Sequence, residues 1–183
     1  MGPARILLLP GWLNSGPAHW QSQWERAFGY QRVDQHDWTR PLRGDWVARL
    51  QEVVLAQEPQ TGIVLVAHSL GCLLAAAWAA ASPCARRVKA ALLVAPCDPR
   101  REDLAARLAS WSPVVLQRLP FPSALLGSRN DPYCGFETAQ MFADAWGSQW
   151  QDCGPAGHIN ADSGLGLWPD GHDRLRRLCK DIV

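Results

Sequence analysis

The sequence has 183 residues, of which 48% are hydrophobic and 19% are charged, a size and balance that fit one globular domain with a well-buried core. The formal net charge is +1 and no basic run interleaves with aromatic residues, so a nucleic-acid partner is not expected. The apolar run at residues 6–9 is too short for a signal sequence or a membrane span. We expect a single cytoplasmic domain, residues 1–183, without a membrane partner.

Six cysteines and ten tryptophans stand out in the composition. The cysteines form no C-x-x-C pair and no zinc-ligand pattern, and several lie in apolar segments, where a reduced cysteine behaves as a small hydrophobic residue. We therefore expect free thiols, no metal site and no cofactor. The tryptophans occur mostly beside polar residues, which favours partly buried rings whose indole N–H is satisfied. A face that binds sugars or aromatic groups is the alternative interpretation.

Short apolar runs alternate along the chain with helical patterns. The candidate strands are residues 5–9, roughly 32–34, 62–67, 90–95, 123–126 and 149–152. Most consist of Val, Leu, Ile and Ala without polar alternation, as expected for strands that are covered on both faces. Helical periodicity marks residues 45–58 and 136–146, and a last helix begins near Pro169 and continues through Leu175, Leu178 and Ile182.

Strands that alternate with helices predict an α/β fold, in which right-handed crossovers join parallel strands. We expect a mostly parallel sheet of about six strands with helices on both faces. Only 27 residues, 96–122, separate the fourth and fifth predicted strands, and five of them are prolines. This segment leaves room for a helix or two, but not for a cap domain.

Ligands of such sheets bind beyond the carboxyl ends of the strands. Four residues with chemically useful side chains follow predicted strands: Ser69 after the third, Asp98 after the fourth, Asp131 after the fifth and His158 after the sixth. A serine, a histidine and a choice of two aspartates are therefore predicted at one edge of the sheet.

Residues 67–71 read Ala-His-Ser-Leu-Gly and match the nucleophile elbow, a sharp strand-to-helix turn that exposes a serine above the sheet. The strand and the helix almost touch across this turn, so the residues two before and two after the serine must be small. Ala67 and Gly71 meet that need. A plain helix N-cap is the alternative interpretation of Ser69.

The order of three residues along the chain favours a catalytic interpretation. Ser69, Asp131 and His158 follow the order of an α/β-hydrolase triad, with His158 as general base and Asp131 orienting its imidazole. The backbone N–H groups of Leu70 and Trp12 are the predicted donors of an oxyanion hole.

These residues also have non-catalytic interpretations. His158 is alternatively a surface-loop histidine, and Asp131 is alternatively a turn residue before a proline. Asp98 also follows a strand and precedes a proline, but arginines at positions 100 and 101 offer it a different partner. We predict that Asp131 orients the histidine. The residues expected to border the substrate pocket are Trp12, Trp20, Tyr133, Cys134, Ile159 and Asn160.

The chain resembles, from end to end, the small serine hydrolases of the retinoblastoma-binding-protein and bacterial YdeN type. The residues that carry this resemblance are Pro10-Gly11-Trp12, His19-Trp20, Trp24, Asp37-Trp38, Asp45-Trp46, His68-Ser69-Leu70-Gly71, Asn130-Asp131-Pro132-Tyr133 and Gly157-His158-Ile159-Asn160. The resemblance implies the α/β-hydrolase fold, the triad Ser69, Asp131 and His158, and hydrolysis of small ester or related acyl substrates. Since no cap domain is expected, short acyl chains should be preferred. Residues 70–74 lack the glutamate of a Leu-x-Cys-x-Glu segment, so binding to a retinoblastoma-type pocket is not expected.

Two other classes of function remain open at this point. One is a binding or scaffold protein that keeps the fold with weak or absent catalysis. The other is a thioesterase or peptidase, which would use the same triad and the same acyl-enzyme, so that the sequence does not separate it from an esterase. The oligomeric state is not predicted.

Overall fold

One six-stranded sheet organises the computed structural model, which describes residues 4–180. Its strands are β1 (Arg5–Leu9), β2 (Gln31–Arg32), β3 (Ile63–His68), β4 (Val88–Val94), β5 (Ser123–Gly127) and β6 (Gln149–Asp152). Every neighbouring pair is parallel, in the order β2-β1-β3-β4-β5-β6. All six predicted strands are present, and the largest differences are two residues, at the start of β4 and the end of β2.

In the part of the chain that the structure describes, six α-helices connect and cover the strands. They are α1 (Trp20–Phe28), α2 (Arg43–Leu55), α3 (Leu70–Ala81), α4 (Glu102–Ala105), α5 (Phe136–Trp146) and α6 (Pro169–Lys180). The predicted bounds of α5 are confirmed. Helix α2 begins two residues before and ends three residues before the predicted 45–58, and the predicted Ile182 lies outside the described residues. None of the described helices is long and apolar enough to cross a membrane.

Helices lie on both faces of the sheet because the strands are apolar on both faces. Leu7, Leu65 and Leu93 belong to a core that also contains buried residues of α2, α3 and α5. The alternate strand residues, such as Leu8 and Val66, belong to a second core with buried residues of α1 and α6. This two-sided burial confirms the prediction from the continuous apolar runs.

The tryptophans are buried more deeply than predicted. Six of them are at most 1% exposed: Trp20, Trp24, Trp46, Trp78, Trp111 and Trp146. Each of these six indole N–H groups donates a hydrogen bond, five to a backbone carbonyl and one to the Gln51 side chain. Full burial is possible because loop carbonyls satisfy the one polar atom of each ring.

The strand order creates a crevice at the carboxyl edge of the sheet. From β1 the chain crosses to β2 on one side and then returns to β3 on the other side of β1. The loops that follow β1 and β3 therefore diverge, and this is where open α/β sheets bind ligands. The connection from β4 to β5 carries the one-turn helix α4 and a short 3-10 helix, Ala109–Trp111.

The first turn of helix α3 packs very closely against the end of β1. A Cβ atom on Gly71 would lie 2.1 Å from the carbonyl oxygen of Leu9 and 3.0 Å from that of Pro10. Both neighbours are backbone atoms, which cannot rotate away. A side chain at position 71 would therefore push the helix off the sheet.

We predict that Gly71→Ala lowers the free energy of unfolding by about 3 kcal/mol or more, because the clash requires a backbone shift. Gly44→Ala is the matched control, since Gly44 lies in α2 and a Cβ there meets nothing within 4 Å. That control should be neutral or stabilising by up to about 1 kcal/mol. Urea unfolding followed by circular dichroism measures both variants. Equal stability of the two would contradict the close packing.

Candidate active site

Ser69 lies on a strained turn between β3 and α3. Its backbone has φ 54° and ψ −120°, a conformation that a non-glycine residue adopts only when the surrounding structure imposes it. The Ser69 N–H donates to the carbonyl oxygen of Val94 on β4 at 3.0 Å. The side chain makes no capping hydrogen bond to the helix. The plain N-cap interpretation therefore fails, and the hydroxyl is directed away from the helix backbone.

The structure brings Ser69, His158 and Asp131 into one hydrogen-bonded chain. His158 Nε2 lies 2.9 Å from Ser69 Oγ, and His158 Nδ1 lies 2.9 and 2.8 Å from the two carboxylate oxygens of Asp131. The side chains of His158 and Asp131 are only 7% and 3% exposed. Residues 89 and 27 positions apart in sequence thus meet at the carboxyl edge of the sheet.

This arrangement fixes the protonation pattern of a neutral imidazole. A carboxylate only accepts hydrogen bonds, so the proton of His158 belongs on Nδ1. Nε2 then has a free lone pair and accepts from the Ser69 hydroxyl. The Asp131 carboxylate is held in turn by the backbone N–H of Tyr133, which donates to Oδ1 at 2.8 Å.

Asp98 has a different partner. Its carboxylate accepts hydrogen bonds from the backbone N–H, Nε and Nη2 of Arg100 at 2.8 to 3.1 Å. The ion pair occupies the loop after β4. Between the two aspartates that follow strands, Asp131 is the one that contacts His158.

Two polar side chains join the aspartate loop to the histidine loop. Asn130 Oδ1 accepts from the N–H of Gly157 at 2.7 Å, and Ser128 Oγ accepts from the N–H of Ala156 at 3.0 Å. Ser128 also donates to Asn130 Oδ1. This link was not predicted from the sequence, although Asn130 stands directly before the predicted acid. It fixes the spacing between Asp131 and His158.

Two further histidines pack behind His158. Nε2 of His68 lies 2.9 Å from the backbone oxygen of His158 and donates to it, and the rings of His19 and His68 meet edge to face with centroids 4.6 Å apart. Burial lowers the pKa of His68 well below 6.5 and that of His19 to about 3, so both rings are neutral. His19 also caps α1, since its Nδ1 accepts from the N–H of Gln21.

The loop after β1 and the start of α3 both lie next to Ser69. The loop after β1 passes so close that a Cβ on Gly11 would lie 2.8 Å from Ser69 Cβ and 3.3 Å from Oγ. The next residue is Trp12, whose indole N–H is anchored on the carbonyl oxygen of Thr39. In the described part of the chain, the backbone N–H groups of Trp12 and Leu70 have no acceptor.

A pocket of about 270 Å³ opens in front of Ser69. Trp12, Tyr133 and Asn160, three of the six predicted border residues, line it. Its far wall contains Leu104 and Leu108, from α4 and the turn after it. A second hollow of about 520 Å³ adjoins it on the His158 side and shares Tyr133, His158 and Asn160. Leu104 and Leu108 were not predicted to line the pocket.

The other three predicted border residues lie elsewhere. Trp20, Cys134 and Ile159 are each only 1% exposed and pack in the two cores. The Trp20 indole N–H donates to the carbonyl oxygen of Ile159 at 2.8 Å, which supports the loop after His158 from beneath. For these three residues the prediction is wrong, because being next to a site residue in sequence does not determine which way a side chain points.

Cys97 lines the pocket beside Ser69 and was not predicted there. Burial raises the pKa of its thiol to about 12. The thiol is therefore protonated at neutral pH and is a poor nucleophile. Cys97 is therefore a small, buried part of the pocket wall next to the Ser69 hydroxyl.

Comparison with known proteins agrees with this geometry. A family model described as serine hydrolase matches residues 6–177. The structure is similar to a protein described as a YdeN-like hydrolase from Pectobacterium atrosepticum, with a TM-score of 0.85 and 32% identity over 98% of this chain and 92% of that chain. The chain therefore belongs to the serine hydrolase family, in its small YdeN-like form. The predicted resemblance and the α/β-hydrolase fold are confirmed.

More distant structures share the fold. The ydeN gene product of Bacillus subtilis has a TM-score of 0.75 at 17% identity and covers 97% of this chain and 100% of its own. Thermogutta terrifontis esterase 2 has a TM-score of 0.68 at 21% identity, covering 98% and 83%. A search of proteins with curated descriptions finds no significant match.

The buried histidines predict a loss of stability in acid. The folded-state pKa of His19 is about 3, against 6.5 for an exposed histidine, so between these values the unfolded chain binds a proton that the folded chain excludes. The contribution of the neutral ring to the free energy of unfolding is therefore fully present above pH 6.5. It is lost as the pH drops below 6.5, by up to about 1.4 kcal/mol per pH unit for each such histidine. His68 adds in the same direction.

We predict that His19→Asn, which keeps a capping side chain, makes the free energy of unfolding less dependent on pH. The slope of that free energy against pH should fall by up to about 1.4 kcal/mol per pH unit, the contribution of one proton. Urea unfolding at pH 7 and pH 5 measures it. His36→Asn is the control, because it removes a histidine that is exposed. A pH dependence that is the same in His19→Asn as in the wild type would refute the assignment.

Proposed function

We propose that the protein hydrolyses small esters through an acyl-enzyme formed on Ser69, with Asp131 and His158 completing a catalytic triad. The observation that carries this proposal is the continuous hydrogen-bonded chain from Ser69 Oγ through His158 to Asp131. Membership of the serine hydrolase family supports the reaction class. The substrate class rests on the size of the pocket and on the resemblance to esterases.

Acylation begins with attack of Ser69 Oγ on the ester carbonyl carbon. His158 Nε2, 2.9 Å away, takes the hydroxyl proton as the new C–O bond forms. The resulting imidazolium is stabilised by the Asp131 carboxylate, which lies at hydrogen-bond distance on its other side. The burial of this ion pair strengthens the interaction.

The negative charge that develops on the carbonyl oxygen needs donors that are already in place. The free N–H groups of Leu70 and Trp12 are the proposed pair. Leu70 is the first residue of α3, so the positive end of the helix dipole supports it. Each such donor typically contributes a factor of about 10² to 10³ to turnover.

The leaving group takes the proton that His158 holds. It must therefore lie on the His158 side of the scissile bond, where the 520 Å³ hollow adjoins the site. We place the alcohol there and the acyl group in the 270 Å³ pocket against Leu104 and Leu108. Water then occupies the place of the alcohol, His158 removes its proton, and attack on the acyl-enzyme releases the acid and restores Ser69.

A pocket of this size suits short acyl groups. Within the described residues no cap extends it, since the connection between β4 and β5 contributes only α4, a short 3-10 helix and loop. Thermogutta terrifontis esterase 2, which shares the fold, has been solved with propionate and with butyrate bound. We propose acyl groups of that size as the substrates here.

Substitution of the two aspartates separates the proposed roles. Asp131→Asn should lower kcat for 4-nitrophenyl butanoate by up to about 10⁴, because an amide NH₂ next to His158 favours the wrong imidazole tautomer. Asp98→Asn should change kcat by less than about threefold, since it affects only a partly exposed ion pair with Arg100. Initial rates and thermal melting of both variants measure this.

Ser69→Ala completes the design, because alanine keeps the turn small while removing the nucleophile. Its turnover should fall to the background set by binding and the oxyanion donors. If Asp98→Asn were inactive and Asp131→Asn active, the acid would be misassigned. Full activity of Ser69→Ala would exclude the acyl-enzyme itself.

A further inference from the structure

The loop after β1 places the polar side chain of Asn14 on the wall of the proposed acyl pocket. Asn14 lines the pocket together with Ser69. Its backbone has φ 68°, a left-handed conformation that asparagine tolerates better than most residues. Nothing in the proposed chemistry uses its amide. The question is which end of that amide faces the pocket.

The carbonyl end of the Asn14 amide is occupied by the protein. Oδ1 accepts from the backbone N–H of Ser15 at 2.7 Å and from Nη1 of Arg32. Both partners are donors only, so the reverse orientation would set the NH₂ group against two N–H groups. The hydrogen bonds therefore fix the amide with Oδ1 toward the protein.

Arg32 holds this orientation because its guanidinium is fully engaged. Nε and Nη2 donate to Glu25 Oε2, Nη2 also donates to Ser22 Oγ, and Nη1 donates to the Ser15 carbonyl oxygen as well as to Asn14. The Arg32 side chain is only 9% exposed. A charged group with five hydrogen bonds and little exposure has no room to turn away from Asn14.

The NH₂ end of Asn14 is free. Within residues 4–180 it has no acceptor, and the residue is only partly buried, on the wall of the pocket that holds Ser69. We propose that Asn14 is a specificity-determining residue whose Nδ2 donates a hydrogen bond to an oxygen of the acyl group. This inference rests on the proposed function and adds a substrate class: esters of short acids that carry an ether, hydroxyl or carbonyl oxygen near the ester group.

The expected discrimination follows from the chemistry of the amide. An NH₂ group donates and cannot accept, so an oxygen in the acyl chain gains a partner while a methylene does not. A neutral hydrogen bond of this kind contributes about 0.5–1.5 kcal/mol, which corresponds to a rate factor of roughly 2 to 12 in kcat/KM.

The test compares acyl groups that differ only by oxygen for CH₂. The 4-nitrophenyl esters of methoxyacetic and butanoic acid form one pair, and those of 3-ethoxypropanoic and hexanoic acid form another, with the oxygen one or two carbons from the ester carbonyl. Each kcat/KM is divided by the hydroxide rate of the same ester to remove intrinsic reactivity. We expect the wild type to favour an oxygen-containing ester by threefold or more in at least one pair.

Two substitutions remove the donor in different ways. Asn14→Asp keeps an oxygen for Arg32 and Ser15 and replaces NH₂ with a second oxygen, so the preference should be lost or reversed. Asn14→Leu removes both ends at similar size and should abolish the preference. Leu55→Ala is the control, since it truncates an exposed leucine at the end of α2, which does not line the pocket, and leaves the Asn14 amide in place. It should keep the wild-type ratio.

A binding measurement makes the inference independent of turnover. In ¹⁵N-labelled wild type, N-methyl methoxyacetamide or N-methyl 3-ethoxypropanamide should shift the side-chain NH₂ resonances of Asn14, and the amides with CH₂ in place of oxygen should not. If the esters are hydrolysed in a Ser69-dependent way but every variant shows the same ratio and no amide shifts Asn14, this inference is overturned and the proposed function stands. If no ester is hydrolysed while the oxygen-containing amides shift Asn14, the binding site stands and the proposed function fails.

Discussion

The contact between α3 and β1 at Gly71 is the constraint on which the site depends. With a Cβ at position 71 only 2.1 Å from the Leu9 carbonyl oxygen, the helix lies at this distance only because the residue is glycine. That proximity forces the turn at Ser69 into φ 54°. The hydroxyl lies 2.9 Å from His158 Nε2, and α3 begins at the next residue, Leu70. Packing in the core thus determines where the Ser69 hydroxyl lies.

The other two members of the proposed triad are positioned by loops, and the loops hold each other. Asn130 and Ser128 bond the aspartate loop to residues 156 and 157, and His68 donates to the carbonyl oxygen of His158 from below. None of these bonds uses the Ser69 hydroxyl, the Asp131 carboxylate or the His158 imidazole. Their effect is to keep the Asp131–His158–Ser69 distances near 2.9 Å in the resting protein, which is the preorganisation that acyl transfer needs.

The parts of this molecule that the sequence predicts are those set by local pattern. Continuous apolar runs predict the central strands, and the small residues around Ser69 predict the elbow. The edge strand β2 is only two residues long, too short for any periodicity, so its bounds are less well predicted. Trp20 and Ile159 were predicted to border the pocket but are buried. The contact between them joins positions 139 apart in sequence, so no local pattern predicts it. The orientation of the Asn14 amide depends on a hydrogen bond from Arg32 in β2. No local sequence pattern predicts that contact.

Covalent trapping of Ser69 tests the central claim most directly. A serine that is activated by His158 and faces two backbone donors should react with a fluorophosphonate, and mass spectrometry should locate one adduct per chain on Ser69. His158→Ala should slow that reaction severely, and Ser69→Ala should abolish it while the protein remains folded. A folded wild-type protein that stays unlabelled at pH 8 would contradict the account and would favour a binding protein that keeps the fold without the reaction.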